Sequence, residues 1–136
     1  YREIMPYVES LYGKNYDYFW DFSFASIKML IELFDIDIEI IFSSDLNPQG
    51  KNNDIIVDIM NKLGARTYLS GTGAAYYYDP AVYERAGIRV IWQEFVHPVY
   101  PQQFGAFIPY LSSIDLLFNF GIEQSRKILR NPGGNA

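Results

Sequence analysis

The segment Ala65–Trp92, "ARTYLSGTGAAYYYDPAVYERAGIRVIW", decides the fold class of this chain. Its two ends, around Thr67–Ser70 and from Arg89 onward, are short runs rich in apolar, aromatic and β-branched residues, and such runs predict strands. Between them, Asp79 followed by Pro80 is typical of a helix N-terminus, and a glycine ends that helix a few residues later. The segment therefore predicts a strand, a short helix and a second strand.

A further strand is predicted upstream, where "DIDIEIIF" (Asp35–Phe42) alternates isoleucines with acids. Turn signals follow in "SSDLNPQGK", and Asn52 or Asn53 then begins an apolar-faced helix that Gly64 ends. This strand–loop–helix–strand unit at about residues 36–70 favours a parallel pair with a right-handed crossover. The predicted fold class is α/β, a small parallel or mostly parallel sheet with flanking helices and with strands at Asp37–Phe42, Thr67–Ser70 and Arg89–Phe95.

The remaining segments predict helices around this unit. Apolar residues recur near a 3.6-residue spacing in Tyr1–Gly13 and again from Asp17, a predicted cap, to Phe34, which predicts a helix in each. Two further helices are predicted to meet at Gly121, before a Pro-Gly-Gly tail. We find no repeat or linker, so residues 1–136 are expected to form a single domain. Because the chain does not begin with methionine and opens inside a predicted helix, we expect it to be the C-terminal part of a longer protein.

The composition excludes several classes of function. A net charge of −5 with scattered basic residues argues against a nucleic-acid partner. The chain has no cysteine, so disulfides and thiolate chemistry are excluded, and one histidine cannot build an ordinary zinc site. No apolar run is long enough for membrane insertion, and the absence of cysteine fits the cytoplasm. The aromatic share of 18% exceeds what a small core needs, which predicts a pocket, a homo-oligomer contact or a surface for a protein partner.

Candidate site residues lie at the carboxyl ends of the predicted strands, where ligands bind in parallel α/β sheets. Ser43, Ser44 and Asp45 follow the first strand, and Ser70 and Gly71 end the second. Asp45 is a candidate catalytic base or sugar-hydroxyl ligand, and the serines are candidate substrate-binding groups. Local turn hydrogen bonding explains Ser43, Ser44 and Asp45 equally well, so both interpretations stay open there.

Two further positions could hold a ligand through backbone or charge. Lys51 stands before a predicted helix N-terminus, a place that attracts phosphate, although most lysines are simply solvated. Gly73 follows Gly71, and the pair could bring the main chain against a ligand or serve a tight turn that needs positive φ. The three tyrosines of Tyr76–Tyr78 cannot all face one way, so we expect one to pack inside and at least one to be exposed.

The irregular segment "HPVYPQQFGAF" carries the remaining candidates. His97 could act as an acid or base near neutral pH, although a lone loop histidine is more often structural. Tyr100 and Gln102 accompany it as candidate substrate-binding residues. Asp115 and Asn119 lie four residues apart on one helix face, where we expect a structural hydrogen bond that anchors the preceding loop.

Five sequence blocks between roughly residues 42 and 121 resemble the WbqC-like protein family in their order and spacing. They are "IFSSDL", "LGARTYLSG", "DPAVYERAGI", "HPVYPQQFGAF" and "SSIDLLFNFG". Members usually carry an earlier Gln-Pro-x-Tyr-x-Pro block, which this chain lacks. The resemblance implies a cytoplasmic enzyme of bacterial surface-polysaccharide (O-antigen) biosynthesis. Such an enzyme would act on a sugar or nucleotide-sugar intermediate, through acyl or aminoacyl transfer. The alternative is a non-catalytic protein that binds a sugar or a partner in a glycan-biosynthesis complex. The resemblance names no cofactor.

Overall fold

The structure is a computed structural model in which residues 1–131 are described; the predicted Pro-Gly-Gly tail lies outside them. The chain forms two compact units. The first combines Tyr1–Ile38 with the described residues from Val96 onward, and the second is Glu39–Phe95. We call them the helical unit and the sheet unit.

The sheet unit is built on two parallel strands, β1 (Thr67–Gly71) and β2 (Arg89–Gln93), paired from Thr67 opposite Arg89 to Gly71 opposite Gln93. This confirms the predicted α/β class with a small parallel sheet and flanking helices. The helices of this unit are α3 (Ser43–Leu46), α4 (Asn53–Lys62), a 3₁₀ helix (Thr72–Tyr77) and α5 (Pro80–Arg85). The 3₁₀ helix and α5 together make the connection from β1 to β2.

One face of this sheet packs on the helices. Met60 of α4, Tyr83 of α5 and Ile88 form the buried core of the unit. Tyr68 from β1 and Val90 from β2 pack against them from the sheet. The predicted start of α5 is confirmed, because the Asp79 carboxylate accepts a hydrogen bond of 3.1 Å from the Ala81 amide and Pro80 follows it.

The strand predicted at Asp37–Phe42 is wrong. Residues 36–42 have no regular secondary structure, and Ile38 is 61% exposed. The alternation of apolar and acidic residues would sort side chains onto two faces, but a strand also needs a neighbouring backbone to complete its hydrogen bonds. No strand of the described sheet provides that neighbour here. The residues after it, Ser43–Leu46, turn into the short helix α3 instead of a loop.

The helical unit contains α1 (Met5–Tyr12), α2 (Phe19–Leu33) and α6 (Ser113–Arg130). Their apolar faces enclose a core whose buried members are Ile4, Leu33, Phe34, Tyr100, Leu116, Leu117 and Ile128. The predicted cap of α2 is displaced by one residue, since Tyr18, not Asp17, precedes the helix and makes no side-chain cap. Within residues 1–131, no helix combines the length and apolar character needed to cross a bilayer.

The predicted meeting of two helices at Gly121 is confirmed as a break inside α6, where this glycine has φ 72° and ψ 178°. A Cβ at this position would lie 2.6 Å from Glu3 Oε2, so it would displace the end of the Glu3 side chain, and the positive φ would strain the backbone of any residue other than glycine. The Glu3 carboxylate accepts a hydrogen bond of 3.3 Å from the Ile122 amide, which the break leaves without a helical partner. The break therefore ties α6 to the start of the chain.

Candidate functional site

The sheet unit contains a cavity of about 230 Å³, which we call the aromatic cavity. It is bordered by the first turn of α4, by one face of the sheet and by the segment between β1 and α5. Its lining residues are Asn52, Asn53, Ile56, Tyr68, Ser70, Ala74, Tyr77, Tyr78, Tyr83 and Trp92. Half of them carry aromatic rings, so the cavity wall presents ring edges and faces more than any other chemical group.

Strand alternation explains why these residues meet. Tyr68 and Ser70 are two residues apart in β1, so their side chains point to the same face. The register pairs Ser70 with Trp92 of β2, which places the indole beside the serine. Tyr83, 2% exposed, approaches this face from α5. The cavity is therefore a product of parallel pairing.

Four of the rings contact one another. Tyr68 and Tyr83 are stacked, with centroids 5.9 Å apart and planes within 1°. Tyr78 lies 5.3 Å from Tyr83 and meets Trp92 edge-on at 5.2 Å and 87°. Burial, followed by the neighbouring Tyr68 and Tyr78, raises the pKa of Tyr83, so its phenol keeps its proton at physiological pH. The result is a pre-formed and uncharged wall.

Polar groups occupy a small part of the lining. Ser70 is 3% exposed, and its hydroxyl donates to the carbonyl of Gly71 at 3.5 Å, longer than an ordinary O–H···O bond. Asn53 donates 2.8 Å to the Tyr77 carbonyl and so fixes α4 to the 3₁₀ helix. Asn52 holds a φ of 51° with a ψ of −122°, which lies outside the left-handed helical region and is a strained conformation for a residue with a side chain. Hydrogen-bonding groups are thus present beside the rings.

The structure brings only one of the predicted site residues, Ser70, into the aromatic cavity. Ser43, Ser44 and Asp45 are exposed in α3, where the Ser44 hydroxyl lies 3.4 Å from an Asp45 oxygen. Lys51 is exposed and directly precedes Asn52, which lines the cavity. Roles for these residues in binding or catalysis stay predictions.

The two glycines of the segment are not held in a glycine-only conformation. Positive φ angles among the described residues do not include Gly71 or Gly73. A Cβ added to either would meet nothing within 4 Å in the described structure. The tight-turn explanation is therefore wrong, and an approach of ligand to this backbone stays a prediction. The expected division of the tyrosines is confirmed, because Tyr76 is 95% exposed whereas Tyr78 packs on Tyr83.

The helical unit holds the other candidates in a hydrogen-bonded cluster around Asp115. Tyr100, 4% exposed, donates 2.8 Å to Asp115 Oδ2, and Gln102 Nε2 donates 3.0 Å to the same oxygen. The Gln102 amide also exchanges two hydrogen bonds with the backbone of Ile108. Asn119 Nδ2 donates to Asp115 Oδ1 at 3.2 Å. These bonds hold the irregular segment against α6.

The expected structural role of Asp115 and Asn119 is supported directly by these contacts. Asn119 also accepts a hydrogen bond of 3.2 Å from the Gln103 amide, so it fastens the loop that precedes the helix. Burial, then the hydrogen bond to Asp115, raises the pKa of Tyr100 to about 12. A cavity of about 270 Å³ borders Gln102 and Asp115, but their hydrogen bonds to one another and to the loop already engage them.

His97 lies beside this cluster. Its Nδ1 is 2.9 Å from the carbonyl oxygen of Pro98, and its ring is 6.5 Å from Tyr100, 5.9 Å from Phe107 and 5.7 Å from Tyr110. Tyr110 has a φ of 63°, so this part of the loop is strained. A catalytic role for His97 stays a prediction.

The aromatic lining residues that were not singled out from the sequence were Tyr68, Tyr83 and Trp92. A usable signal existed for two of them. Tyr68 is two residues before Ser70, and Trp92 lies in the other predicted strand, so period-two alternation puts both within reach of the cavity. Tyr83 carried no such signal, because its position depends on how α5 packs on the sheet. No group of three or more metal-ligating side chains is arranged around a common point among residues 1–131.

The model of the WbqC-like protein family matches residues 1–127, which confirms the resemblance read from the sequence blocks. Among curated proteins, "Uncharacterized protein Rv1507c" of Mycobacterium tuberculosis is 36% identical over 69 residues. The aligned region is 50% of this chain and 30% of the relative's length. No solved structure matches the chain.

Proposed function

The chain belongs to the WbqC-like protein family, and from that premise we propose that it acts on a sugar or nucleotide-sugar intermediate of bacterial surface-polysaccharide biosynthesis. The proposed reaction is a transfer of an acyl or aminoacyl group in the cytoplasm. The observation that carries the proposal is the aromatic cavity, in which Ser70 meets a wall of tyrosines and Trp92. Two earlier expectations also stay predictions: that residues 1–136 form a single domain, and that they belong to a longer protein.

Aromatic walls suit sugars for a physical reason. A pyranose ring has an apolar C–H face that can pack on an aromatic ring, and hydroxyl groups at its edge that need hydrogen-bonding partners. Tyr78 and Trp92 provide rings, whereas Ser70 and Asn52 provide polar groups next to them. Two of the lining residues, Ser70 and Trp92, stand near the carboxyl ends of parallel strands, where ligands of α/β sheets bind.

The proposed roles of the remaining candidates follow from their chemistry. Lys51, exposed at the N-terminal side of α4, would attract the phosphates of a nucleotide sugar. Asp45 in the sheet unit and His97 in the helical unit are proposed independently of each other as acid–base groups, since a carboxylate or an imidazole can take the proton of a sugar hydroxyl or amine. Ser43, Ser44, Gly71 and Gly73 are the other proposed substrate contacts of the sheet unit, whereas Tyr100 and Gln102 of the helical unit stay separate predictions.

The proposal is tested with a thermal-shift screen of the protein against nucleotide sugars, alone and with acyl or aminoacyl donors. A ligand present at about 100 times its dissociation constant should stabilise the fold by about 2.7 kcal/mol. The shift should shrink in Ser70→Ala and in Lys51→Ala. Thr67→Ala is the matched control, because it removes a hydroxyl from an exposed position of the same strand. No stabilisation by any nucleotide sugar would contradict the proposal.

A non-catalytic sugar-binding or partner-binding role is the second candidate, and one observation favours it. No carboxylate, imidazole or amine is among the described side chains that line the aromatic cavity, so the cavity itself offers no ordinary acid–base group. The exposed Tyr76 and Tyr77 would suit a protein partner. Binding of a nucleotide sugar without product formation, across acyl and aminoacyl donors, would favour this candidate over the enzyme.

A further inference from the structure

The lining of the aromatic cavity lacks formal charge. Its described side chains are aromatic, aliphatic, hydroxyl or amide groups. The pKa of Tyr83 is raised, so the phenol does not supply a charge either. Neighbouring charged residues exist, but Lys51 and Asp54 are exposed and are not among the lining side chains.

A lining without formal charge should discriminate between neutral and negatively charged sugars. Moving an ionised carboxylate from water into a site without a counter-charge costs several kcal/mol, and side-chain dipoles compensate only part of that. A hydroxymethyl group at the same ring position carries no such cost, and it can hydrogen-bond to a hydroxyl or amide. The walls therefore favour an uncharged ring over a uronic acid of the same shape.

The size of the cavity decides how much of a ligand it can hold. Sites for drug-sized molecules measure about 300–1,000 Å³, and this cavity of about 230 Å³ is smaller. One six-membered sugar ring is a suitable occupant, whereas a whole nucleotide sugar is not. A diphosphate attached to that ring would remain outside, on the side where Lys51 precedes the lining residue Asn52.

The buried serine adds a polar anchor. Ser70 lines the cavity and is 3% exposed, and its hydroxyl donates a hydrogen bond of 3.5 Å to the carbonyl of Gly71. A buried hydroxyl with so long a bond has hydrogen-bonding capacity left for a ligand. A sugar hydroxyl is the complementary group, because it both donates and accepts.

We propose that the aromatic cavity binds the glycosyl ring of the substrate and selects an uncharged hexose against the corresponding uronic acid. The inference rests on the proposed function, since it names the substrate class of that same site. Tyr78 and Trp92 form the packing surface, Ser70 hydrogen-bonds to the ring, and the lack of a cation in the lining disfavours a carboxylate.

The test uses nucleotide sugars that differ in one group. UDP-glucose with UDP-glucuronic acid, and UDP-galactose with UDP-galacturonic acid, each exchange a hydroxymethyl group for a carboxylate. The chain has two tryptophans, so Trp20→Phe leaves Trp92 as the single reporter of fluorescence in the cavity. Thermal shift measures binding anywhere on the protein in parallel, and UDP alone is the control for nucleotide binding.

We expect at least one neutral hexose to change Trp92 emission, with its uronic acid partner binding at least about tenfold more weakly because the carboxylate loses part of its hydration without gaining a counter-charge. Ser70→Ala should weaken the neutral sugar about three- to tenfold through the lost hydrogen bond. Thr67→Ala, on the opposite face of β1, should leave binding unchanged.

Each other outcome is informative. Equal or tighter binding of the uronic acids overturns the proposed selectivity and leaves the proposed function standing. A thermal shift without any change in Trp92 emission places the sugar elsewhere, which also overturns this inference alone. If none of the four nucleotide sugars binds, the inference fails, and the wider screen of nucleotide sugars then decides whether the proposed function fails with it.

Discussion

Replacing Tyr100 by phenylalanine tests the buried hydroxyl–carboxylate contact of the helical unit. The Tyr100 hydroxyl donates 2.8 Å to Asp115 Oδ2 and its side chain is 4% exposed. A hydrogen bond to a charged group contributes about 1.5–3 kcal/mol, so Tyr100→Phe should lower the free energy of unfolding by about that amount at pH 8. Urea denaturation followed by circular dichroism measures the difference.

The stability difference between wild type and Tyr100→Phe is also expected to depend on pH. The pKa of Tyr100 is raised from 10.0 to about 12, so the unfolded chain loses this proton first as the pH rises. The stability linked to the raised pKa is therefore fully present below pH 10 and is lost progressively from about pH 10 to about pH 12. With these two values the loss reaches about 1.4 kcal/mol at pH 11. The difference between wild type and Tyr100→Phe should shrink by that amount between pH 8 and pH 11.

Two comparisons make the result specific. Tyr76→Phe is the same chemical change at a side chain that is 95% exposed, and it should alter stability little at either pH. In an Asp115→Asn background, which removes the carboxylate that Tyr100 contacts, the cost of Tyr100→Phe should fall. A difference between wild type and Tyr100→Phe that is the same at pH 8 and pH 11 would refute the argument.

Three further substitutions test local features. Asp79→Ala removes the side-chain cap of α5, whose oxygen accepts from the Ala81 amide, and should reduce the unfolding free energy by about 1 kcal/mol in urea. Gly121→Ala should cost at least about 1–3 kcal/mol for the backbone conformation alone, and adding Glu3→Ala should recover only the steric part of the loss. Leu117→Ala empties a fully buried position and should cost about 2–5 kcal/mol; an unchanged urea midpoint would contradict its place in the core.

The candidate site could be predicted only in part. Ser70 was identified because a polar residue near the carboxyl end of a parallel strand is a recognisable pattern, and the structure places it in the aromatic cavity. Asp45 satisfied the same pattern but followed a strand that does not form, so it lies in the exposed α3 instead. Tyr100 and Gln102 were predicted as substrate-binding residues, a role that stays a prediction, and the Asp115 carboxylate that both contact lies 13 to 15 residues away along the chain.

The sequence by itself determined the features that depend on near neighbours. Asp79 with Pro80 defined the start of α5, because a cap is made within two residues, and Gly121 defined the break in α6 because its positive φ would strain any residue other than glycine. The tertiary structure alone decided that residues 36–42 form no strand, since strand formation requires a partner that the local alternation does not specify. The tertiary structure also determined where the aromatic cavity forms, because the packing of Tyr83 against Tyr68 joins elements that are separated along the chain. Local hydrogen bonds and backbone angles can be read from a few residues, whereas pairing and packing depend on contacts between distant ones.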